Sequence, residues 1–407
     1  MRWAELPQHA RELPADAPLP SGFQASGVAC GVKGEGALDL ALLVAGPDTV
    51  SAARFGQSGV LAAPVLVCQQ RCRLDALRVI VANSGNANAA TGSRGLDEAA
   101  RMQGAGAMLA GVDADRVAVA STGVIGVQLD GARVVAGLRG AAEELREDGA
   151  VDFARAIRTT DALDKHANLE LELPSGTVRL SAQCKGAGMI SPRFATLLCF
   201  VECDAQMSAE TADLLLGVCV KRSFDRISVD GQLSTNDTVV LMASGASGVA
   251  IEPESADELR FGEALDALLR RLALLIVRDG EGARRIGRVH VRGGDEASVE
   301  RVARSVANSP LVKSALFGGD PNWGRIAQAV GAALPGCAPL AFDIAIEGVP
   351  VCTAGAATRF DEDALRATVN GPEVQYEIDL PGSGAECELF FSDLSYDYVK
   401  INAEYTS

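Results

Sequence analysis

The chain of 407 residues has few of the side chains on which many hydrolases and metalloenzymes depend. It contains three histidines, His9, His166 and His290, far apart in the sequence. The sequence therefore offers few candidates for the histidine of a Ser-His-Asp or Cys-His catalytic arrangement. Aromatic residues make up only 4% of the chain, whereas 48% of it is hydrophobic. The core must therefore be built mainly from Ala, Val, Leu and Ile. The length allows two or three domains or one large α/β assembly.

Excess positive charge and long hydrophobic runs are also missing. A formal net charge of −16 and a pI of about 4.7 argue against a surface for nucleic acid or an anionic membrane. No hydrophobic run approaches the length of a transmembrane helix. The N-terminal sequence MRWAELPQHARELP lacks the hydrophobic region of a signal peptide. We therefore expect a cytoplasmic enzyme that binds neither nucleic acid nor a membrane.

The ten cysteines are too few, in a chain of this length, for a disulfide scaffold. The pairs Cys68/Cys72 and Cys199/Cys203 each enclose three residues, and no third or fourth ligand accompanies them at a usual zinc spacing. The three aspartates within residues 225–237 lack the spacing of an EF-hand loop. We therefore predict buried free thiols and no metal site.

The stretch Lys185–Phe200, KGAGMISPRFATLLCF, is the most informative part of the chain. Its two early glycines permit unusual backbone conformations, and Pro192 prevents a helix from running through the segment. Thr196, preceded by the small Ala195, therefore lies where an irregular loop meets a hydrophobic strand. Such a position suits a nucleophile, and it equally suits an ordinary turn.

The pattern KGxGMIxPxxATxL that begins at Lys185 resembles the self-cleavage segment of the ornithine acetyltransferase (glutamate N-acetyltransferase) family of arginine biosynthesis. In that family the precursor cuts itself at the Ala-Thr bond, and the freed threonine is the nucleophile. The resemblance implies cleavage between Ala195 and Thr196. It would yield an α chain of residues 1–195 and a β chain of residues 196–407.

Further motifs similar to those of this family follow in order between Gly22 and Ser407. They are NSGNANAATG from Asn83, STGVIG from Ser121, SVDGQLSTNDT from Ser228, DGEG from Asp279, DPNWGRI from Asp320 and the ending YVKINAEYTS from Tyr398. The resemblance implies an ornithine acetyltransferase-like fold, with mixed sheets sandwiched by helices. Strands and helices intermix along the whole chain, which independently favours α/β or α+β layers over an all-helical bundle.

The segment STGVIG follows a predicted strand at Arg116–Ala120 and precedes a predicted helix that runs to about Glu147. A hydroxyl beside a glycine N–H at a strand end can supply two preorganised donors to a developing oxyanion. A plain glycine-containing connection with a helix N-cap is the alternative. The resemblance implies that Thr122 and Gly123 form the oxyanion hole. It further implies a substrate-binding set of Thr159, Lys185, Thr196, Glu281, Asn402 and Ser407.

Because histidine is scarce, a threonine nucleophile needs another base. An N-terminal threonine can use its own α-amine, whose pKa of about 7.7–8.0 suits proton transfer near neutral pH. The resemblance then implies ping-pong transfer of an acetyl group from N2-acetylornithine to glutamate through acetyl-Thr196. It implies no cofactor and an assembly of α and β chains that is a heterotetramer or larger. Whether acetyl-CoA also serves as a donor stays open at the level of the sequence.

The chain departs from the family pattern at three places: Ala162, Gln232-Leu233 and Gly56–Ser58. These departures bear on substrate preference and leave Thr196, Thr122 and Gly123 unchanged. Two alternative functions stay open at the level of the sequence. One is a related self-cleaving amidohydrolase or aminopeptidase with the same nucleophile, and the other is an uncleaved, non-enzymatic binding relative.

Overall fold

A computed structural model describes the chain at residues 1–34, 36–191, 197–382 and 384–404. The strands, numbered in chain order, are β1 (Ala10–Glu12), β2 (Phe23–Val28), β3 (Leu40–Ala45), β4 (Val50–Phe55), β5 (Val79–Asn86), β6 (Val117–Val124), β7 (Lys165–Leu173), β8 (Gly176–Lys185), β9 (Leu198–Cys203), β10 (Ile227–Ser228), β11 (Thr238–Ala243), β12 (Ile286–Gly293), β13 (Asp343–Ile346), β14 (Val349–Thr353), β15 (Ala356–Ala357), β16 (Glu373–Asp379) and β17 (Ala385–Ser392).

The α-helices alternate with these strands along the chain. They are α1 (Ala63–Arg71), α2 (Gly92–Ala110), α3 (Gly131–Glu143), α4 (Ala150–Ala156), α5 (Ala209–Arg222), α6 (Ala256–Arg278), α7 (Glu296–Ala307), α8 (Pro310–Gly318), α9 (Trp323–Ala333), α10 (Glu362–Val369) and α11 (Tyr396–Glu404). Two short 3₁₀ turns occupy Ala114–Arg116 and Phe224–Arg226. No helix within the four described ranges has the length and hydrophobicity needed to cross a lipid bilayer.

The strands form three sheets, each of which mixes parallel and antiparallel pairs. The six-stranded sheet has the order β1-β7-β8-β9-β11-β4, the four-stranded sheet β2-β3-β5-β6, and the seven-stranded sheet β10-β17-β12-β16-β13-β14-β15. The parallel pairs are β9 with β11, β5 with β6, β10 with β17 and β12 with β16. The predicted class, α/β with mixed sheets and helices on their faces, is confirmed.

The six-stranded sheet is buried on both faces at its centre, where every residue of β9 and β11 is buried and most of them are hydrophobic. Along β9, Cys199 and Val201 pack with α5 and α6, while Leu198 and Phe200 point to the opposite face, as the two-residue period of a strand requires. On that opposite face the ring of Phe153 from α4 meets Phe200 edge-on, with centroids 5.4 Å apart. Helix α4 also contacts β2 and β3, so it joins the six-stranded sheet to the four-stranded one.

Helix α6 is the longest helix of the described residues and leads directly to the candidate site. It begins where the Ser255 side chain accepts a hydrogen bond from the N–H of Glu258, an N-cap that satisfies one of the free amides of the first turn. Its leucine-rich face is buried against the six-stranded sheet. The helix ends at Arg278, and its C-cap residue Asp279 lies two residues before Glu281, so the burial of α6 determines where this acidic segment lies.

Two strands are longer than the hydrophobic segments Ala76–Ala82 and Arg116–Ala120, at which the sequence predicts them. The segments Asn83–Asn86 and Ser121–Val124 continue β5 and β6, although their Asn, Ser and Gly residues are typical of loops. The two segments pair in parallel with each other, and the Ser121 hydroxyl donates to Asn83 Oδ1 at 2.6 Å. Polar side chains that bond across the pair thus extend the ladder beyond its hydrophobic part. The helix predicted after this segment is α3, and it ends at Glu143.

Candidate active site

One cavity brings together the predicted site residues that lie within the described ranges. Its lining includes Thr122, Gly123, Thr159, Lys185, Glu281 and Asn402. These residues come from the ends of β6 and β8, the loops after α4 and α6, and helix α11. The predicted nucleophile and cleavage position, Thr196 and Ala195, and the predicted substrate residue Ser407 lie outside the described residues.

The Thr122–Gly123 segment requires a glycine at its second position. Gly123 has a φ of +131°, and a Cβ placed on it would lie 2.4 Å from the carbonyl carbon of Gly85 in the neighbouring strand. A side chain is therefore excluded both by backbone conformation and by close approach of the strands. The next residue, Val124, accepts a hydrogen bond from the N–H of Ala87 at 2.9 Å. The segment is thus held rigidly at the cavity wall.

Lys185 is buried at the end of β8 and points into the same cavity. Its Nζ donates to the hydroxyl oxygens of Thr159 at 2.9 Å and Thr122 at 3.2 Å. Burial lowers the pKa of the Lys185 ammonium below its ordinary value, and the charge of the nearby Asp161 opposes that effect. Among the described residues, the side-chain hydrogen-bond partners of Lys185 are the neutral hydroxyls of Thr159 and Thr122. The positive charge of Lys185 is thus available to an anionic group of a substrate.

A second lysine, Lys165, lies below the cavity between two aspartates. Its Nζ is fully buried and bonds to Asp161 Oδ1 at 2.7 Å and Asp279 Oδ2 at 2.5 Å. Burial alone would raise the pKa of Asp161, but the charges of Lys185 and Lys165 outweigh it and hold that pKa well below its usual range. Burial would lower the pKa of Lys165, but the two aspartates outweigh burial and raise it.

These two aspartates also fix the backbone that carries the predicted site residues. Asp161 accepts hydrogen bonds from the N–H of Gly186 at 2.7 Å and of Thr159 at 3.1 Å. Asp279 accepts bonds from the N–H groups that follow this loop, at Ala162 and Leu163. The ionic cluster therefore joins the loop of Thr159, the turn after Lys185 and the end of α6. No sequence pattern pointed to Lys165. One partner, Asp161, is four residues away, but the cluster needs Asp279 as well, which is 114 residues away.

Glu281 and Asn402 meet at the other side of the cavity. Asn402 Nδ2 donates to Glu281 Oε2 at 2.7 Å, and the N–H of Glu281 donates to the carbonyl oxygen of Ala187 at 2.9 Å. Gly188 passes so close to the Glu281 carboxylate that a Cβ on it would lie 2.6 Å from that group. The carboxylate and the Lys185 ammonium thus provide opposite charges in one cavity.

The segment Ser234–Asn236 also lines the cavity, and sequence reasoning assigned no role to its members. It belongs to the SVDGQLSTNDT motif, whose resemblance to a family signature was the available signal. Asp230, from the same motif, accepts hydrogen bonds from the N–H groups of Met189 at 2.7 Å and Ile190 at 2.9 Å. The motif therefore supports the glycine-rich segment that follows Lys185.

Asp237, the last acid of this motif, is buried beside β9. Its Oδ1 accepts a hydrogen bond from the N–H of Leu197 at 3.1 Å, which is the amide on the carboxyl side of Thr196. Burial raises the pKa of Asp237 well above its ordinary value. Within the described ranges, no group of three or more His, Cys, Asp or Glu side chains is arranged to hold a metal ion.

Comparison with known proteins gives the family of the chain. The family model described as "ArgJ family" matches residues 24–407. The arginine biosynthesis bifunctional protein ArgJ of Symbiobacterium thermophilum is 42% identical over 390 residues, which cover 95% of this chain and 97% of that protein. The protein of the same name from Methylococcus capsulatus is 44% identical over 391 residues, which cover 95% of each chain.

A solved structure of an arginine biosynthesis bifunctional protein argJ, from Bacillus halodurans, is 36% identical. The aligned residues cover 50% of this chain and 96% of the Bacillus halodurans chain, with a TM-score of 0.47. The family match and the curated relatives confirm the acetyltransferase of arginine biosynthesis that the motifs predicted. The chain belongs to the ArgJ family.

Proposed function

We propose that this enzyme cleaves itself between Ala195 and Thr196 and then transfers an acetyl group from N2-acetylornithine to glutamate through Thr196. One observation carries the proposal: a predicted oxyanion pair, a buried ammonium and a carboxylate line the same cavity. Next to this segment, the N–H of Leu197 donates a hydrogen bond to Asp237 at 3.1 Å.

The charges of the cavity suit an amino-acid substrate. The buried ammonium of Lys185 offers a charge-assisted bond to a substrate carboxylate, and the Thr159 hydroxyl beside it adds a second polar contact. Glu281 offers the complementary bond to a substrate ammonium group, with Asn402 holding its carboxylate. N2-acetylornithine and glutamate each carry a carboxylate that Lys185 can bind in turn. The δ-ammonium of N2-acetylornithine suits Glu281, whereas the amine of glutamate stays free to attack the acetyl ester. Ser407 completes the proposed binding set.

Self-cleavage follows from the chemistry of a threonine after a small residue. The Thr196 oxygen attacks the carbonyl carbon of Ala195, and the acyl group moves from nitrogen to oxygen. Water then hydrolyses the ester, which leaves a carboxylate on Ala195 and a free α-amine on Thr196. That α-amine, with a pKa of about 7.7–8.0, becomes the base for later turnovers.

Acetyl transfer then proceeds in two balanced halves. The Thr196 oxygen attacks the acetyl carbonyl, its proton passes to the α-amine and on to the departing ornithine nitrogen, and an acetyl ester remains. The neutral amine of glutamate attacks this ester, and the threonine oxygen regains a proton. In each half the Thr122 hydroxyl and the Gly123 N–H stabilise the tetrahedral oxyanion, by about 3 kcal/mol per donor.

The proposed α chain, 1–195, and β chain, 196–407, would stay together after cleavage. The six-stranded sheet contains β1, β4, β7 and β8 from the first part and β9 and β11 from the second. The halves are therefore not separate domains, and an assembly that is a heterotetramer or larger would contain both. We extend the proposal to acetyl-CoA as a second donor, to catalysis without a metal or organic cofactor, and to a cytoplasmic location.

The test combines intact mass, N-terminal sequencing and an acetyl-transfer assay on the purified protein. The proposal predicts two fragments, the second starting at Thr196, and acetyl transfer that requires glutamate. Acetate release that does not depend on glutamate would indicate a hydrolase or aminopeptidase. A single uncleaved chain that stays intact on prolonged incubation and shows no turnover would indicate a binding protein. Repeating the assay with acetyl-CoA decides whether a second donor is used.

A further inference from the structure

The side-chain amide of Asn236 is fully engaged within the protein, although the residue lines the cavity. Its Nδ2 donates to the carbonyl oxygens of Ala87 at 2.7 Å and Ser121 at 2.8 Å. Its Oδ1 accepts from the Thr235 hydroxyl at 2.5 Å. An amide nitrogen carries two hydrogens, so no donor is left for a substrate. Asn236, which is 5% exposed, must act through the groups that it binds.

The two residues whose carbonyls Asn236 binds are each connected to one end of the pair Thr122–Gly123, the proposed oxyanion donors. Ser121 immediately precedes the pair Thr122–Gly123. Because the peptide unit between Ser121 and Thr122 is planar, a hydrogen bond that holds the Ser121 carbonyl oxygen also fixes the orientation of the Thr122 N–H. Ala87 donates its own N–H to the carbonyl oxygen of Val124, which immediately follows the pair, at 2.9 Å. One side chain therefore restrains the backbone before and after Thr122–Gly123.

These bonds also connect parts of the chain that lie on opposite sides of the proposed cleavage site. Asn236 is separated from Ser121 by 115 residues and from Ala87 by 149 residues. Asn236 lies in the proposed β chain, and both acceptors lie in the proposed α chain. The oxyanion segment of one chain is thus held in place by an amide of the other.

We propose that Asn236 is a positioning residue that holds Thr122 and Gly123 in the geometry needed to stabilise the oxyanion. This inference rests on the acetyl transfer proposed above. Donors to an oxyanion must lie within about 2.7–3.1 Å of its position in the transition state, and a misplacement of about 1 Å can cost about 100-fold in rate. Because the oxyanion forms only in the transition state, loss of this restraint lowers kcat and leaves KM nearly unchanged.

The decisive variant is Asn236→Asp, which keeps the shape of the side chain but replaces the amide nitrogen by an oxygen. At neutral pH the two backbone carbonyls then face an acceptor instead of a donor. We expect kcat to fall about 10- to 100-fold, with KM for N2-acetylornithine changed by less than about 3-fold. Rates are normalised to the fraction of cleaved chain, which intact mass measures.

A pH profile separates this role from a general loss of structure. Protonation of the introduced carboxyl restores one donor, and burial favours the protonated form. The ratio of the variant's kcat to the wild-type kcat should therefore rise towards acid pH. A ratio that is flat across the pH range where both proteins are folded would contradict the proposal.

Asn168 offers a matched control outside the cavity. Its Nδ2 also donates to two backbone carbonyls, of Pro14 at 3.1 Å and Ala15 at 3.3 Å, and its Oδ1 also accepts from a hydroxyl, that of Ser181 at 2.7 Å. It is 3% exposed. The change Asn168→Asp should lower the melting temperature and leave kcat as in the wild type. Equal kcat losses in the two Asn→Asp variants would overturn the assignment of Asn236.

A milder variant keeps the proposal testable if Asn236→Asp does not fold. Thr235→Val removes the hydroxyl that orients the Asn236 amide, and we expect a several-fold loss of kcat with little change in KM. A kcat within 2-fold of the wild type would refute the positioning role. If the wild-type protein itself transfers no acetyl group to glutamate, the proposed function fails, and that result is distinct from a failure of either variant.

Discussion

Lys165 and Asp161 form an ion pair that is completely buried below the cavity, with 2.7 Å between Nζ and Oδ1. Asp279 binds the same ammonium from the end of α6. Charges are costly to bury, but here each carboxylate also accepts backbone N–H groups of the loops around the cavity. The cluster therefore holds the segments that carry Thr159, Lys185 and Glu281 in fixed positions relative to one another.

Replacing Lys165 by Met should destabilise the protein by about 3–5 kcal/mol, because two buried carboxylates would lose their counter-charge. Urea unfolding of the wild type and the variant measures the difference. Arg133→Ala is the matched control, since its ion pair with Asp130 is exposed on both sides and such pairs contribute about 0–1 kcal/mol. Equal losses in the two variants would show that the buried cluster is not essential to the fold.

The depressed pKa of Asp161 predicts how stability changes with pH. A carboxyl whose folded pKa lies below its unfolded pKa, about 3.9 for aspartate, stabilises the folded state fully only above the unfolded value. This contribution is lost as the pH falls below about 4 towards the folded pKa. The free energy of unfolding should therefore decrease more steeply with acidification in the wild type than in Asp161→Asn. Parallel curves from pH 6 to pH 2 would contradict this account.

Gly123→Ala should abolish both self-cleavage and acetyl transfer. The new Cβ would meet the backbone of Gly85 at 2.4 Å, and a φ of +131° is unfavourable for alanine. Intact mass reports cleavage, and an acetyl-transfer assay reports turnover. Gly104→Ala is the control: this glycine lies inside α2 with no atom near the added methyl group, so the change should stabilise the protein by about 0.5–1 kcal/mol. An active, cleaved Gly123→Ala variant would exclude this segment from the oxyanion hole.

The overall layers of the fold were predictable from the sequence, because hydrophobic strands and helices carry local periodic patterns. The composition of Glu258–Val277 predicts a long amphipathic or buried helix, and helix α6 extends over Ala256–Arg278. The polar ends of β5 and β6 were interpreted as loops, since Asn, Ser and Gly favour turns. In the structure the pairing of Asn83 with Ser121 outweighs that local preference.

The candidate site was predictable only where a family motif marked its residues. The motifs identified Thr122, Gly123 and Lys185, and these line one cavity. No motif assigned a role to Lys165 or Asn236. Beside the nearby Asp161, Lys165 depends on Asp279, which is 114 residues away, and Asn236 depends on Ser121, which is 115 residues away. Contacts of that kind arise from the packing of whole sheets and leave no local pattern in the sequence.

Glu281→Gln tests which part of the donor the carboxylate of Glu281 recognises. N2-acetylornithine carries a δ-ammonium group, whereas N-acetylnorvaline has the same carbon skeleton without it. A bond from a charged group is worth about 1.5–3 kcal/mol, so kcat/KM for N2-acetylornithine should fall about 10- to 100-fold in the variant. The value for N-acetylnorvaline, which we expect to be low in the wild type because the ammonium is missing, should change by less than about 3-fold. An equal loss for both donors would mean that Glu281 does not bind the substrate ammonium. Its role would then be in the reaction at Thr196 or in holding Asn402, to which it is bonded at 2.7 Å.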